Sequence, residues 1–404
     1  MPARRAAASP NHDELHRDVA SRLQRLVELR RHFHRHPELA LEEHATAATI
    51  AEHLRQAGLE VRTGVGGTGV VGVVRGGPPG RTLLIRADID ALPVREANDS
   101  AYASRVPGKM HACGHDGHTA IGLVLAELLA GRSDQLHGTV KFAFQPAEEQ
   151  VSGAAPMVAD GVLRDPAVDA VIGLHLWSPV HVGDVTVQAG PFFASADSLT
   201  LRVFGRGGHG AMPHHNVDPI LAAAQIVTAA QSLVSRELAP TATGVVTFGM
   251  IHGGTAGNIV ADQVELGGTV RAYTPEDRAL LLRRLSELAQ GVAGALRASA
   301  ELTIGGGSDA CVNDPAITEL VRRAAIATVG AEHLTPGDGR QSVSDDMAVF
   351  LASVPGCYFL VGAGNPERGI TAPHHSSRFD IDERALPIGV EVMARAALEF
   401  LGQS

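Results

Sequence analysis

Apolar and polar positions follow one another along the chain with periods that change several times, and each change marks an element. Val19, Leu23, Leu26 and Leu29 recur at helical spacing and predict a helix over residues 12–33. Pro37 disfavours helix in the residue before it and ends the pattern. A second helix is expected over 41–57, stopped by Gly58. Apolar runs bounded by turn residues predict strands over 70–75 and 82–87, with Gly76-Gly77-Pro78-Pro79-Gly80 as the turn between them. A helix over 117–130 and strands over 139–144 and 167–174 follow. Strands alternating with helices predict an α/β layer architecture, with a mostly parallel central sheet flanked by helices.

Near Ala194 the pattern changes. Residues 199–204 alternate like a strand, 218–233 form a long Ala-rich helix, 245–251 and 263–272 alternate again, and 275–298 are helical. This strand–helix–strand–strand–helix block has the size of a small α+β domain of its own. After about Leu302 the chain returns to α/β character, with a strand over 357–361 and a last helix over 384–401. The expectation is therefore one domain inserted into another: 194–302 within a domain built from 1–193 and 303–404. Residues 1–11 read as a loose tail.

Length supports this division, because 404 residues exceed one ordinary core. Aromatics are only 4% of the chain, so Ala, Val, Leu and Ile must build the core. A net charge of −10, with no basic block, argues against nucleic acid as a partner. The longest apolar run, 119–130, is too short to span a bilayer. Three cysteines (Cys113, Cys311 and Cys357) are an odd number in a chain too long to need disulfide staples. The first residues carry charge without an apolar stretch, unlike a secretory signal. Both features point to the cytoplasm.

Four segments carry chemistry. From His111 to His118, three His, one Cys and one Asp crowd into eight residues beside two glycines, just before a predicted helix. A thiolate and an imidazole two residues apart suit a borderline-soft cation such as zinc. Glu148-Glu149 follows an apolar strand. In an extended backbone neighbouring side chains point apart, so one carboxylate could hold metal while the other handles protons. Alone, the pair reads rather as a solvated acidic turn. His175 ends an apolar run, and His374-His375 precedes the last helix; each alone reads as structural. Together the four converge, because strand ends in an open α/β sheet gather on one ligand-binding edge.

Over nearly its whole length the chain resembles the M20 metallopeptidase superfamily. The nearest branch is the amidohydrolases of N-acyl amino acids, such as hippurate and auxin–amino acid conjugate hydrolases. The matching segments are RHFHRHPELALEE (31–43), RADIDALP (86–93), MHACGHDGHTA (110–120), FQPAEE (144–149), Gly173-Leu174-His175, GRGGHGAMPHHNVDPI (205–220), GGTAGNIV (253–260) and PHHSSRFDIDE (373–383). The resemblance implies one or two divalent ions, Zn or Mn with Co or Ni as options, held by Cys113, His115, Glu149, His175 and His375. It implies Glu148 as general base and Asp90 as a group orienting a ligand. It further implies that the inserted block is a ferredoxin-like lid and dimerisation domain. There His209 would polarise the scissile carbonyl in the partner subunit of a homodimer, and Asn258 and Arg271 would position an N-acyl amino acid substrate. Asp345-Asp346-Met347 replaces a common Glu-Asp-Phe, and Gln150 a common Gly, without removing a ligand. A dipeptidase or carboxypeptidase of the same superfamily, and a non-catalytic metal sensor on its scaffold, are the competing readings.

Overall fold

The computed structural model describes residues 10–335 and 338–402. Of the tail expected at 1–11, residues 1–9 lie outside the described residues. The chain divides into two compact units. One comprises the residues up to Gly190, 312–339 and those from Val349 on; the other comprises 191–311 and 340–348.

The first unit begins with helices α1 (Pro10–Ser21), α2 (Leu23–Arg35) and α3 (His44–Gln56). The single helix expected over 12–33 is thus two, parted at Arg22, whose ψ of 2° leaves the helical range. Strands β1 (Glu60–Val65), β2 (Gly69–Arg75) and β3 (Thr82–Asp88) follow, then α4 (His115–Ala130), β4 (Thr139–Gln145), α5 (Ala154–Ala159), β5 (Ala170–His181) and β6 (Val185–Thr186).

The second unit carries β7 (Ala196–Phe204), β8 (Gly208–His209), α6 (Pro219–Ser232), β9 (Gly244–Gly253), β10 (Ile259–Val260), β11 (Gln263–Ala272), α7 (Pro275–Ala295) and β12 (Ser299–Ser308). The chain then returns to the first unit as α8 (Pro315–Val329), β13 (Gly356–Gly364) and α9 (Ala385–Phe400).

The large sheet runs β1-β2-β4-β3-β5-β13-β6. Its central four strands are mutually parallel, and antiparallel pairs flank them. Every residue of β3 and β13 is buried, as a strand covered on both faces requires. Helix α4 buries every residue from His115 to Ala126 and packs against α2, α9 and β3. Each fully buried Leu or Val there contributes about 1.5–3 kcal/mol, so this helix is a structural axis as well as the support for the residues at its start.

In the second unit β9-β11-β7-β12 form an antiparallel sheet. Leu199, Leu201 and Val203 alternate inward along β7, and α6 and α7 pack on the sheet. Both helices start on a side-chain cap followed by proline: Asp218 accepts from the Ile220 and Leu221 amides, and Thr274 from the Asp277 amide. The order is ferredoxin-like.

The unit is wider than the expected 194–302. Leu302 lies inside β12, which pairs with β7 as far as Ser308. Residues 305–307 are glycines and give no alternation by which to extend the strand. Gln341 also joins this unit: its amide donates to Phe192 O at 2.8 Å, and its carbonyl accepts from the Ala194 amide at 3.1 Å.

Candidate metal centre

All five expected ligands lie in the first unit: Cys113 in the loop before α4, His115 at its start, Glu149 in the turn after β4, His175 within β5, and His375 in a C-terminal loop. Gly114 precedes α4 with φ +96°, a left-handed conformation that glycine adopts without strain. That reversal places Cys113 and His115 on either side of it. The His375 amide donates to Ala112 O at 2.8 Å and ties the C-terminal loop to the same segment.

Cys113, His115 and His175 present Sγ and ring nitrogens within 4.8 Å of one another, as do Cys113, Glu149 and His375, and His115, Glu148 and Glu149. Cys113 Sγ is 3.6 Å from His175 Nε2. His375 Nε2 is 3.3 Å from Glu149 Oε2.

The histidine tautomers follow from their neighbours. His175 Nδ1 donates to Leu176 O at 2.9 Å, which leaves Nε2 facing Cys113. His115 Nδ1 faces Asp90 O at 2.9 Å and Asp90 Oδ1 at 3.2 Å. Its Nε2 is buried without a hydrogen-bond partner, and so is Glu149 Oε1. Two inward-facing polar atoms left without partners fit a cation bound between them, since such atoms are otherwise strongly unfavourable. The donor set of one sulfur, three imidazoles and a carboxylate suits a zinc-like or manganese-like ion.

The electrostatics agree. Burial pushes the Cys113 thiol well above its ordinary range, and Glu149, Glu148 and Asp88 push it further. A thiolate there needs a cation beside it. Burial opposes charge on His115, yet Asp88, Asp90 and Glu149 outweigh it and raise its pKa to about 10. Burial, with His118 and His374 nearby, holds His175 well below its usual range and therefore neutral.

One expectation is corrected. Glu148 and Glu149 do not point apart: their carboxylates approach the same His115 Nε2 at 3.8 and 3.9 Å. The strand ends at Gln145, and Ala147 has φ +53°, so the alternation of an extended chain no longer applies. A turn takes over, closed by the Val151 amide on Glu148 O at 2.7 Å and the Ser152 amide on Ala147 O at 3.1 Å. Gly153 passes so close that an added Cβ would lie 1.6 Å from Pro146 O.

Asp90 touches two of the expected ligands, since its Oδ2 also accepts from the Glu149 amide at 3.0 Å. His374 also faces Cys113, with Nδ1 3.7 Å from Sγ. It stacks on Trp177 at 4.5 Å, and its Nε2 accepts from the Ser178 amide at 3.2 Å.

Several residues of this site had no assigned role from sequence. His118 Nε2 accepts from the Leu176 amide, and its Nδ1 donates to Asp88 at 2.5 Å, so both ring nitrogens are committed to the protein. Arg86 pairs with the same Asp88 at 2.6 Å. Behind Cys113 and His115, Arg30 donates to Asp116 and Asp380, both at 2.8 Å, and His34 bridges Asp116 and Glu96. The only sequence signal for these was the density of His, Arg and Asp in their motifs.

The remaining expected residues belong to the second unit. His209 is exposed on β8, opposite Ile259 of β10, and Asn258 O accepts from the Gly210 amide beside it. Arg271 lies on β11 opposite Val245, with Nη1 buried and unpartnered.

Known proteins bear on this arrangement. An N-acetyl-L-cysteine deacetylase of Bacillus subtilis is 37% identical over 361 residues, covering 89% of this chain and 84% of the relative. Thermostable carboxypeptidase 2 of Saccharolobus solfataricus is 36% identical over 394 residues, covering 96% and 98%. The crystal structure of Bacillus subtilis YXEP, described as a dinuclear metal binding peptidase from the M20 family, superposes with a TM-score of 0.83 at 32% identity, covering 95% of this chain and all of that one. Residues 84–399 match Peptidase family M20/M25/M40. With that match, and a donor cluster whose inward atoms lack protein partners, the chain belongs to Peptidase family M20/M25/M40 and is a metal-dependent hydrolase of amide bonds.

Proposed function

We propose that the chain hydrolyses the amide bond of N-acyl amino acids, with Glu148 as general base and Cys113, His115, Glu149, His175 and His375 holding one or two divalent ions. The observation that carries this reading is the convergence of both Glu148 and Glu149 on His115 Nε2, an atom with no hydrogen-bond partner of its own. Zinc suits the thiolate, and manganese, cobalt or nickel suit the imidazoles and carboxylate. When bound, such an ion supplies Lewis acidity that acidifies a water and polarises the acyl carbonyl.

The chain's own groups do the rest. Glu148 is 7% exposed, so its carboxylate is screened from bulk water. It takes the proton of the attacking water and returns it to the leaving amine. Asp90 holds the ring of His115 and the backbone of Glu149 together. Arg271 suits a substrate carboxylate through its planar fork, and Asn258 lies beside His209. His209 would stabilise the oxyanion from the partner of a homodimer. The exposed apolar residues Met250, Ile251 and Ile259 in the second unit suit that association. Three buried cysteines without disulfides suit a reducing cytoplasm.

Glu148→Gln should keep its metal and lose about 10²–10⁴ of kcat on an N-acetyl amino acid. Near-wild-type turnover in that variant would remove Glu148 as the base. The carboxypeptidase relatives favour a second reading, in which the acyl group is a peptide. Comparing kcat/KM for N-acetyl and N-benzoyl amino acids against dipeptides separates the two.

A further inference from the structure

Away from the metal-ligating cluster, the first unit holds a cavity of about 220 Å³ against the outer strands of its large sheet. Strand pairing sets its wall. Glu60 lies opposite Val73, Arg62 opposite Val71, and Val73 opposite Lys141. Paired residues share a face, so these side chains all stand on one side of the sheet. Helix α3 covers the other side: its Leu54 lies against Gly72, the residue between Val71 and Val73. The cavity face is closed by the segment that carries Arg164 and Asp165.

Three cations line this cavity, and none has a carboxylate partner among the described residues. Lys141, one of only two lysines in the chain, is 3% exposed on β4. Its Nζ donates to Arg164 O at 2.7 Å and Pro166 O at 3.3 Å. Arg62 Nη2 donates to Asp160 O, and Arg164 Nη2 to Ala159 O, both at 2.9 Å. Carbonyl oxygens fix these heads in place but cancel none of their charge. Glu60 is committed to Arg75 at 2.7 and 3.1 Å, so Asp165 is the one remaining carboxylate of the wall.

A buried ammonium with the Arg62 charge acting on it is unfavourable unless an anion offsets it. The strain shows in Lys141, which burial, and then Arg62, bring down to about 8 against the pull of Asp165. The cavity is smaller than those that take drug-sized ligands, which limits the occupant to a small metabolite or ion.

We propose that this cavity binds a small dianion, a phosphate group or a dicarboxylate, between Arg62, Lys141 and Arg164. The site is separate from the hydrolytic centre and does not depend on its substrate. Its two walls flank the turn of Glu148 and Glu149: β4 leads into that turn, and α5 leads out of it to Arg164. An anion bridging Lys141 and Arg164 therefore braces the stretch that carries both carboxylates.

The test is thermal unfolding of the metal-loaded full chain in sodium phosphate, in sodium succinate, and in sodium chloride at matched ionic strength. Phosphate or succinate should raise the midpoint saturably beyond the chloride control, and which one does so identifies the ligand class. Arg62→Gln and Arg164→Gln alter exposed side chains and should fold. Each should weaken the apparent anion affinity about tenfold, because a charge-assisted bond is lost, while amide hydrolysis without the anion stays unchanged. No shift beyond chloride in the wild type would overturn the proposal. So would an equal shift in both variants, which would place the anion at the metal-ligating cluster or elsewhere.

Discussion

At the scale of the residue, the centre is built from atoms whose second partner is already decided. His115 and His175 each spend Nδ1 on the protein and turn Nε2 inward. His118 spends both nitrogens, which is why a histidine so close to the cluster is not in the proposed ligand set. Cys113→Ser should lower the metal content of purified protein, read by elemental analysis, because an alkoxide is far harder to form than a thiolate. The raised thiol pKa adds a sign. Loading metal onto apo protein should release a proton from Cys113, so metal affinity should rise with pH, measurable by titration in weak buffer. The cluster's residue types were legible in sequence. The fates of individual nitrogens were not, because a ring's second partner here is a backbone group or a residue far away in sequence.

At the scale of the element, the Arg30 network joins three separated segments. Arg30 on α2 pairs with Asp116 at the start of α4 and with Asp380 after the His374-His375 loop. It therefore holds the two segments that supply Cys113, His115 and His375 in mutual register. Breaking a buried pair is expected to cost about 3–5 kcal/mol, so Arg30→Met should lower the unfolding free energy from denaturant titration by that amount and reduce metal affinity along with it.

The same pair has a pH signature. Burial opposes charge on Asp116, but Arg30 and His34 outweigh it and hold the carboxyl well below the usual range. Its contribution to stability is present above the unfolded carboxyl pKa of about 3.9 and is lost as pH falls towards the folded value. Asp116→Asn should accordingly be less stable at neutral pH and show a flatter acid limb in denaturation followed against pH. Most elements were legible from periodicity. Among those that were not are β1, an edge strand with four of six residues exposed, and β12, which runs into three glycines. Neither presents the alternation that burial imposes.

At the scale of the whole molecule, we propose that the activity belongs to a pair of chains. If His209 acts in the partner's site, His209→Ala should lose about 10²–10³ in kcat. Mixing and re-associating His209→Ala with Glu148→Gln should then restore turnover, since one site of the heterodimer holds both groups. Two inactive variants that stay inactive together would sink the shared-site reading. Sequence by itself determined what local chemistry dictates: an α/β unit interrupted by a small α+β one, and a set of Cys, His and Glu residues whose chemistry suits a metal. These follow from hydrophobic period and from residue types whose lone pairs suit a metal. Tertiary structure alone decided the rest. It turned Glu148 and Glu149 to one side through a left-handed Ala147, stacked His374 on Trp177, and held Arg62, Lys141 and Arg164 on backbone carbonyls rather than on carboxylates among the described residues. Each of these depends on contacts between segments far apart in sequence, and no local pattern encodes which partner a side chain will meet.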